Sequence, residues 1–167
     1  MLKRIVGGVG GLVIVLVVVA LKFGAGWGIG FLGAKADAPD VGKCVTLSGS
    51  STDANADEAT CGADGVLYKV VSDNGSCDDT ELSYTISVTG KDAADLCLAW
   101  DVEAGDCVKI NGINDPDEKV ACSPATDGST VVKITAVLDS AGGQCPKGSQ
   151  GVANKTRDTK LCAVAVS

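Results

Sequence analysis

The residues of this chain whose types could do chemistry are, first, its eight cysteines: Cys44, Cys61, Cys77, Cys97, Cys107, Cys122, Cys145 and Cys162. A thiolate can attack a substrate, ligate a metal or be consumed in a disulfide, and spacing decides among these uses. No two of the eight form a C-x-x-C pair, whereas structural zinc sites draw ligands from closely spaced pairs, so four distant thiolates make a poor zinc site. An even number of widely spaced cysteines, all on one side of a hydrophobic segment, fits structural disulfides in an oxidising compartment. Thiols used that way leave no cysteine nucleophile.

Histidine is missing altogether. Ser-His-Asp and Cys-His catalysis, imidazole metal ligation and histidine haem ligation are lost with it. Carboxylates remain, clustered at Asp78-Asp79-Glu81 and at Asp115-Asp117-Glu118, and such clusters can serve acid–base catalysis or hold calcium through oxygen ligands. Neither fits the twelve-residue calcium loop between helices, and adjacent acids in Gly-rich, turn-like sequence read as solvated surface. The glycines form no phosphate-binding motif. The expectation is no catalytic residue, no cofactor and no metal: a protein that is not an enzyme.

The elements that hold these residues fall into two dissimilar parts. Residues 34–167 contain all 21 acidic residues and 11 of the 14 basic ones, a formal charge of −10. A surface of that sign is repelled by nucleic-acid phosphates, so no nucleic-acid partner is expected. In residues 1–33, Lys3 and Arg4 precede Ile5 to Leu21, an uncharged run dense in Val, Leu and Ile that is just long enough to span a hydrocarbon core as a helix. Lys22 can snorkel outward while Phe23, Trp27 and Phe31 form an interfacial aromatic belt. Basic residues before the run and an acidic region after it predict a single-pass helix with a cytoplasmic N-terminus and an extracytoplasmic C-terminal part. The A-x-A sites Ala34-Lys35-Ala36 and Ala36-Asp37-Ala38 suit signal-peptide cleavage, but they lie far beyond Leu21, which favours a retained anchor. Gly7 and Gly11 form a G-x-x-x-G pair that lets a second membrane helix approach closely, so helix packing against a partner is expected there.

Beyond the anchor and a linker over 34–40, the chain repeats itself. Val41-Gly42-Lys43-Cys44-Val45 matches Ala104-Gly105-Asp106-Cys107-Val108, Cys61 matches Cys122, Cys77 matches Cys145, and Leu96-Cys97 matches Leu161-Cys162. The offsets of 63, 61, 68 and 65 residues are length changes that surface loops absorb. This divides the region into a first four-cysteine repeat over 41–102 and a second over 103–167. Short β-branched patches between Gly, Asp, Asn and Ser predict strands near Lys43–Leu47, Val66–Val71, Leu82–Val88 and Asp95–Trp100, then Asp106–Ile110, Lys119–Cys122, Thr130–Leu138 and Lys160–Val166. Asp73-Asn74-Gly75-Ser76 reads as a turn, and the stretch after Cys145-Pro146 as loop or a short helical turn. The fold class is therefore mainly β: a single transmembrane helix followed by two tandem, small, disulfide-stapled β domains.

Repeats of this size bury marginal cores, and disulfides supply the deficit. Four cysteines allow three pairings per repeat. If the first two and the last two strands of each repeat run as hairpins, the pairs are Cys44 with Cys61, Cys77 with Cys97, Cys107 with Cys122 and Cys145 with Cys162. Trp100, ending the first repeat, either packs at the junction between the copies or closes the first core.

The run Gly42-Lys43-Cys44-Val45, then Cys61 with Tyr68-Lys69-Val70, Cys77, and Leu96-Cys97-Leu98 resembles the repeat of the LppU-like family of actinobacterial envelope proteins. Gly105-Asp106-Cys107-Val108, Cys122-Ser123, Cys145-Pro146 and Leu161-Cys162 fit it a second time, with a more distant similarity to septum-formation-type domains. The resemblance implies a membrane-anchored or secreted protein at the plasma membrane of a bacterium, and implies no reaction. A non-enzymatic accessory or structural protein is expected, with a protein partner in an envelope membrane complex. The alternative is an extracytoplasmic module that binds peptide, glycan or calcium through loops around Asp115–Glu118 and Gly142–Gly151.

Overall fold

A computed structural model describes Val13–Val17 and residues 38–50, 53–88, 91–112 and 115–167. The apolar, β-branched patches become strands, and Gly, Asp and Asn mark the turns between them. In chain order these are β1 (Val13–Val17), β2 (Cys44–Ser50), β3 (Asp53–Ala59), β4 (Tyr68–Ser72), β5 (Leu82–Val88) and β6 (Lys91–Trp100), then β7 (Cys107–Ile110), β8 (Glu118–Val120), β9 (Thr130–Leu138), β10 (Gln150–Asn154) and β11 (Thr159–Ala165). They form two sheets, ordered β1-β5-β6-β4-β2-β3 and β10-β11-β9-β7-β8.

Set β1 aside, and the two sheets have one topology. In each, the fourth, fifth, third, first and second strands of the repeat lie side by side, antiparallel throughout. The correspondence extends to register. Val70 faces Leu98 and Ser72 faces Cys97, leaving Val71 as a bulge; Ile134 faces Ala163 and Ala136 faces Cys162, leaving Thr135 as the same bulge. Gly42 donates its N–H to Val70 O at 2.8 Å, and Gly105 donates to Ile134 O at 2.8 Å. Both glycines sit at positive φ, 93° and 107°, a conformation that a Cβ would strain. An ion pair also recurs with its signs exchanged: Lys43–Glu58 at 3.8 Å in the first repeat, Asp106–Lys119 at 2.8 Å in the second.

All eight cysteines are paired: Cys44–Cys61, Cys77–Cys97, Cys107–Cys122 and Cys145–Cys162. These are the pairs that the hairpin argument gives; in the second repeat the first hairpin is the expected one, whereas in the first the hairpin partner of β2 is β3 in place of the strand expected at Val66–Val71. Cys61 and Cys122 close hairpins that β2 makes with β3 and β7 makes with β8. Strand β3 was not expected, because Asp-Ala-Asn-Ala-Asp-Glu-Ala has little β propensity; its residue-by-residue pairing with β2 overrides that. The stretch after Cys145 also differs from expectation. Ser149 donates to Pro146 O in a turn, and the chain then enters β10, which pairs with β11 along its whole length. Gly151 in β10 allows this close packing, since a Cβ there would lie 2.7 Å from Cys145 Sγ.

The expected membrane helix over Ile5–Leu21, with Gly7 and Gly11, falls outside the described residues except for Val13–Val17. Those five residues form a strand parallel to β5 where a helix was expected, and a run of Val, Ile and Leu has the branching that a strand accepts. Among the described residues no helix is long and apolar enough to cross a membrane.

One core serves both sheets. Val45, Leu67, Tyr68, Val70, Leu82, Tyr84, Ile86, Leu96 and Leu98 of the first repeat form a buried cluster with Val108 of the second, and Val132 and Trp100 pack against it. The second sheet's own fully covered apolar set is small: Val108, Val131 and Ile134 beside Cys107 and Cys162. Because Val108 is shared, Val108→Ala should destabilise both halves together, by about 2 kcal/mol from two lost methyl groups and the space they leave. Hydrogen exchange should show the loss at amides of β6 as well as β9; protection changed in β9 alone would refute a common core.

Candidate functional site at the junction of the repeats

Of the six acids that sequence reasoning placed in solvent, Asp79, Asp115 and Glu118 are exposed, whereas Asp78, Glu81 and Asp117 lie where the two repeats meet. The loop Cys77–Glu81 leads from the first repeat's disulfide into β5, and the turn 155–158 joins β10 to β11. Asp78 Oδ2 accepts the Lys155 and Thr156 N–H groups, each at 3.1 Å, and the Thr156 hydroxyl at 3.0 Å. Its Oδ1 accepts the Thr80 N–H and hydroxyl at 3.1 and 2.9 Å. Burial by itself would raise the Asp78 pKa, but these hydrogen bonds outweigh it and bring it down to about 2.

Glu81 lies behind Asp78 with its side chain fully covered. Its carboxylate accepts the Asn154 amide at 2.7 Å, Arg157 Nε at 3.0 Å and the Asp78 N–H at 3.0 Å. Asn154 in turn accepts the Arg157 N–H at 2.8 Å. Both oxygens of the buried carboxylate are therefore engaged, which is the condition for tolerating it there.

The second acidic cluster is also at the junction. The Asp117 N–H donates to Tyr68 Oη at 2.9 Å, while the Asp117 carboxylate accepts the Asn111 N–H at 3.0 Å. Burial raises the Asp117 pKa, with the Asn111 N–H and the Trp100 indole opposing it. Burial also raises Tyr68 above the ordinary phenol value, and the charge of Asp117 adds to this. Trp100 combines the two alternatives: it packs against the first core and its indole reaches Asp117 of the second repeat. Asp79 and Asp115 remain exposed.

A shallow cleft of about 370 Å³ also draws on both repeats, walled by Asp64 and Gly65 from the first and by Gly105, Asp106, Lys119 and Cys122 from the second. Its polar groups are largely committed to one another. Lys119 pairs with Asp106, whose carboxyl is favoured by burial to titrate higher but is held below the usual range by Lys119 and the Glu103 N–H.

Two carboxylates stand beside sulfur pairs, Asp101 near Cys44–Cys61 and Glu81 near Cys77–Cys97. Oxidised sulfur offers no thiolate to a metal, and both acids are engaged elsewhere, Asp101 accepting the Gly62 N–H at 3.1 Å and Glu81 holding Arg157. Of the loops expected to bind ligand, Asp115–Glu118 is engaged with Tyr68, and Gly142–Gly151 folds onto its own sheet, where Gly143 O accepts Lys160 Nζ at 2.7 Å. Gly7 and Gly11 lie outside the described residues.

Sequence reasoning gave Arg157, Asn154 and Tyr68 no part in a site at the junction. A usable signal was charge: Lys147, Lys155, Arg157 and Lys160 crowd the end of an otherwise acidic region. Compared with known proteins, the chain matches no family model, no curated relative and no solved structure.

Arg157→Ala should leave Glu81 buried and unpaired, lowering stability in urea by about 3–5 kcal/mol. A loss below about 1 kcal/mol would show that the carboxylate finds water instead. Acid should act on Asp78. The folded state, with its pKa at about 2 against the free value of 3.8, binds fewer protons than the unfolded chain, so this contribution is complete above roughly pH 4 and is lost as pH falls through 2. Asp78→Asn should flatten the stability profile over that interval; an unchanged slope would remove Asp78 from the account.

Proposed function

We propose that this protein is a non-enzymatic accessory or structural component of an envelope membrane complex. The apolar run over 5–21 supports an anchor in a bacterial plasma membrane, which requires Val13–Val17 to leave their pairing with β5, and the two repeats then stand on the extracytoplasmic side. What carries the reading is the fate of the reactive groups. Cysteine sulfurs are bonded to each other, Asp78 and Glu81 are spent on joining the repeats, and the Asp117 carboxylate is taken up by Asn111 within the second. A body built this way supports rigid presentation of surface better than turnover.

The same chemistry supports that compartment, because disulfides of structural type persist outside the reducing cytoplasm. The resemblance to LppU-like envelope proteins points the same way. Gly7 and Gly11 supply the helix face for a partner in the bilayer.

Two measurements test this. The chain should stay with membranes through alkaline carbonate extraction. Affinity purification in a mild detergent should recover a different membrane polypeptide in stoichiometric amount; recovery of this chain without any other protein, in every detergent, would sink the accessory role.

A second reading is favoured by one observation, the cleft between Asp64–Gly65 and Lys119–Cys122. A site between two repeats suits a peptide, a glycan or calcium. Thermal-shift screening against these three classes should then give a saturable rise in melting temperature at micromolar concentration. No shift with any of them would leave the accessory reading alone.

A further inference from the structure

Sheet edges invite pairing with other chains, and proteins guard them with charge, brevity or cover. Two of the four edges here are guarded by charge or brevity. β3 carries exposed Asp57 and Glu58, and β8 has only 3 residues, two of them Glu118 and Lys119. The other end of the first sheet, β5 with β1 upon it, adjoins the segment proposed to enter the membrane. On the second sheet β10 differs from β8: Gln150-Gly151-Val152-Ala153-Asn154 contains neither charge nor proline, and β11 pairs with only one of its sides.

The face beside this edge is apolar. Val152 stands opposite Leu161, which stands opposite Val137, so the three form one row across β10, β11 and β9. Val152 is 57% exposed and Val137 42% exposed, and Val152 is the most exposed large apolar side chain among the described residues. The local charge also differs from that of the whole: no acidic residue occurs between Asp139 and Asp158 in a chain of net charge −7.

We propose that the outer edge of β10 pairs with the same edge of a second copy, antiparallel about a twofold axis at Val152. The strand is built for self-pairing at that register. Val152 is its middle residue, so Gln150 meets Asn154 and Gly151 meets Ala153 across the axis, and no charged side chain faces another. The two apolar rows then join end to end, Val137-Leu161-Val152 continuing into Val152-Leu161-Val137 of the second copy. Each copy supplies the same patch, the isologous arrangement of closed dimers. Elsewhere the acidic surfaces of two copies repel; beside this edge the charges are Lys147, Lys155 and Arg157, of which Arg157 is neutralised by Glu81.

Full-length protein in detergent provides the test. Opposed residues at such an axis have Cβ atoms about 5 Å apart, near the reach of a disulfide. Val152→Cys should therefore give a disulfide-linked dimer on a non-reducing gel, whereas Val137→Cys, also exposed but two strands inside the edge, should not. Sedimentation equilibrium should give the wild type twice the monomer mass and Val152→Lys the monomer mass, with mass spectrometry verifying four intact native disulfides in each variant. A monomeric wild type would overturn the proposal. So would equal cross-linking through Val137→Cys, or a dimer that survives Val152→Lys and is lost on Gly7→Leu. The proposal does not rest on the accessory role: that role fails when no different polypeptide co-purifies, this one when no second copy does.

Discussion

Covalent closure of short hairpins is the constraint on which the rest of this structure depends. The second sheet covers only Val108, Val131 and Ile134 fully among its aliphatic side chains, far too little apolar area to offset the entropy of ordering some sixty residues. Each disulfide closes a loop of 15 to 20 residues. In the chain-entropy model each bridge is worth about 3 kcal/mol, and the set of them about 12, comparable with the whole net stability of an ordinary domain. Two of the bonded sulfurs, on Cys107 and Cys162, also fill the core of the second sheet, so sulfur serves there as both tie and packing. The halves lean on each other as well, since Val108 belongs to the cluster built around Tyr84 and Leu98.

The duplication is deeper than its cysteines. Strand order, the bulge at Val71 and Thr135, and the glycine bonds at Gly42 and Gly105 all recur. The ion pair on the first hairpin persists with its signs exchanged, Lys43–Glu58 becoming Asp106–Lys119. Compared one position at a time, those sites look unrelated. Taken as pairs they are one feature, because a hairpin needs opposite charges across it and does not distinguish which strand carries which.

Much of this was legible in the sequence, for identifiable reasons. Leu82–Val88 and Thr130–Leu138 alternate or run apolar between turn residues, and both are strands with those bounds. Regularly placed cysteines fixed the repeat. β3 and β10 were illegible because their own residues do not favour extension; β2 and β11 impose it through the ladder. The junction was hidden for a related reason. Asp78, Glu81 and Arg157 lie in loops whose composition resembles solvated surface, and it is a contact across 76 positions of sequence that makes Glu81 buried. Local patterns carry no information about such pairings. Tyr68 was visible only as an apolar strand residue, although its hydroxyl receives the Asp117 N–H.

The junction between the repeats is head to tail: the loop after the third strand of the first holds the last hairpin of the second. Contacts of this sense can in general be propagated, one unit after another, into a filament. Here the corresponding loop of the second repeat, Cys145-Pro146-Lys147-Gly148-Ser149, has Pro146 where the first has Asp78 and Ser149 where it has Glu81. It lacks both carboxylates that grip a turn, so a further unit finds no socket of the same kind. The duplication thereby yields a body of fixed length, and growth by this particular contact stops at two.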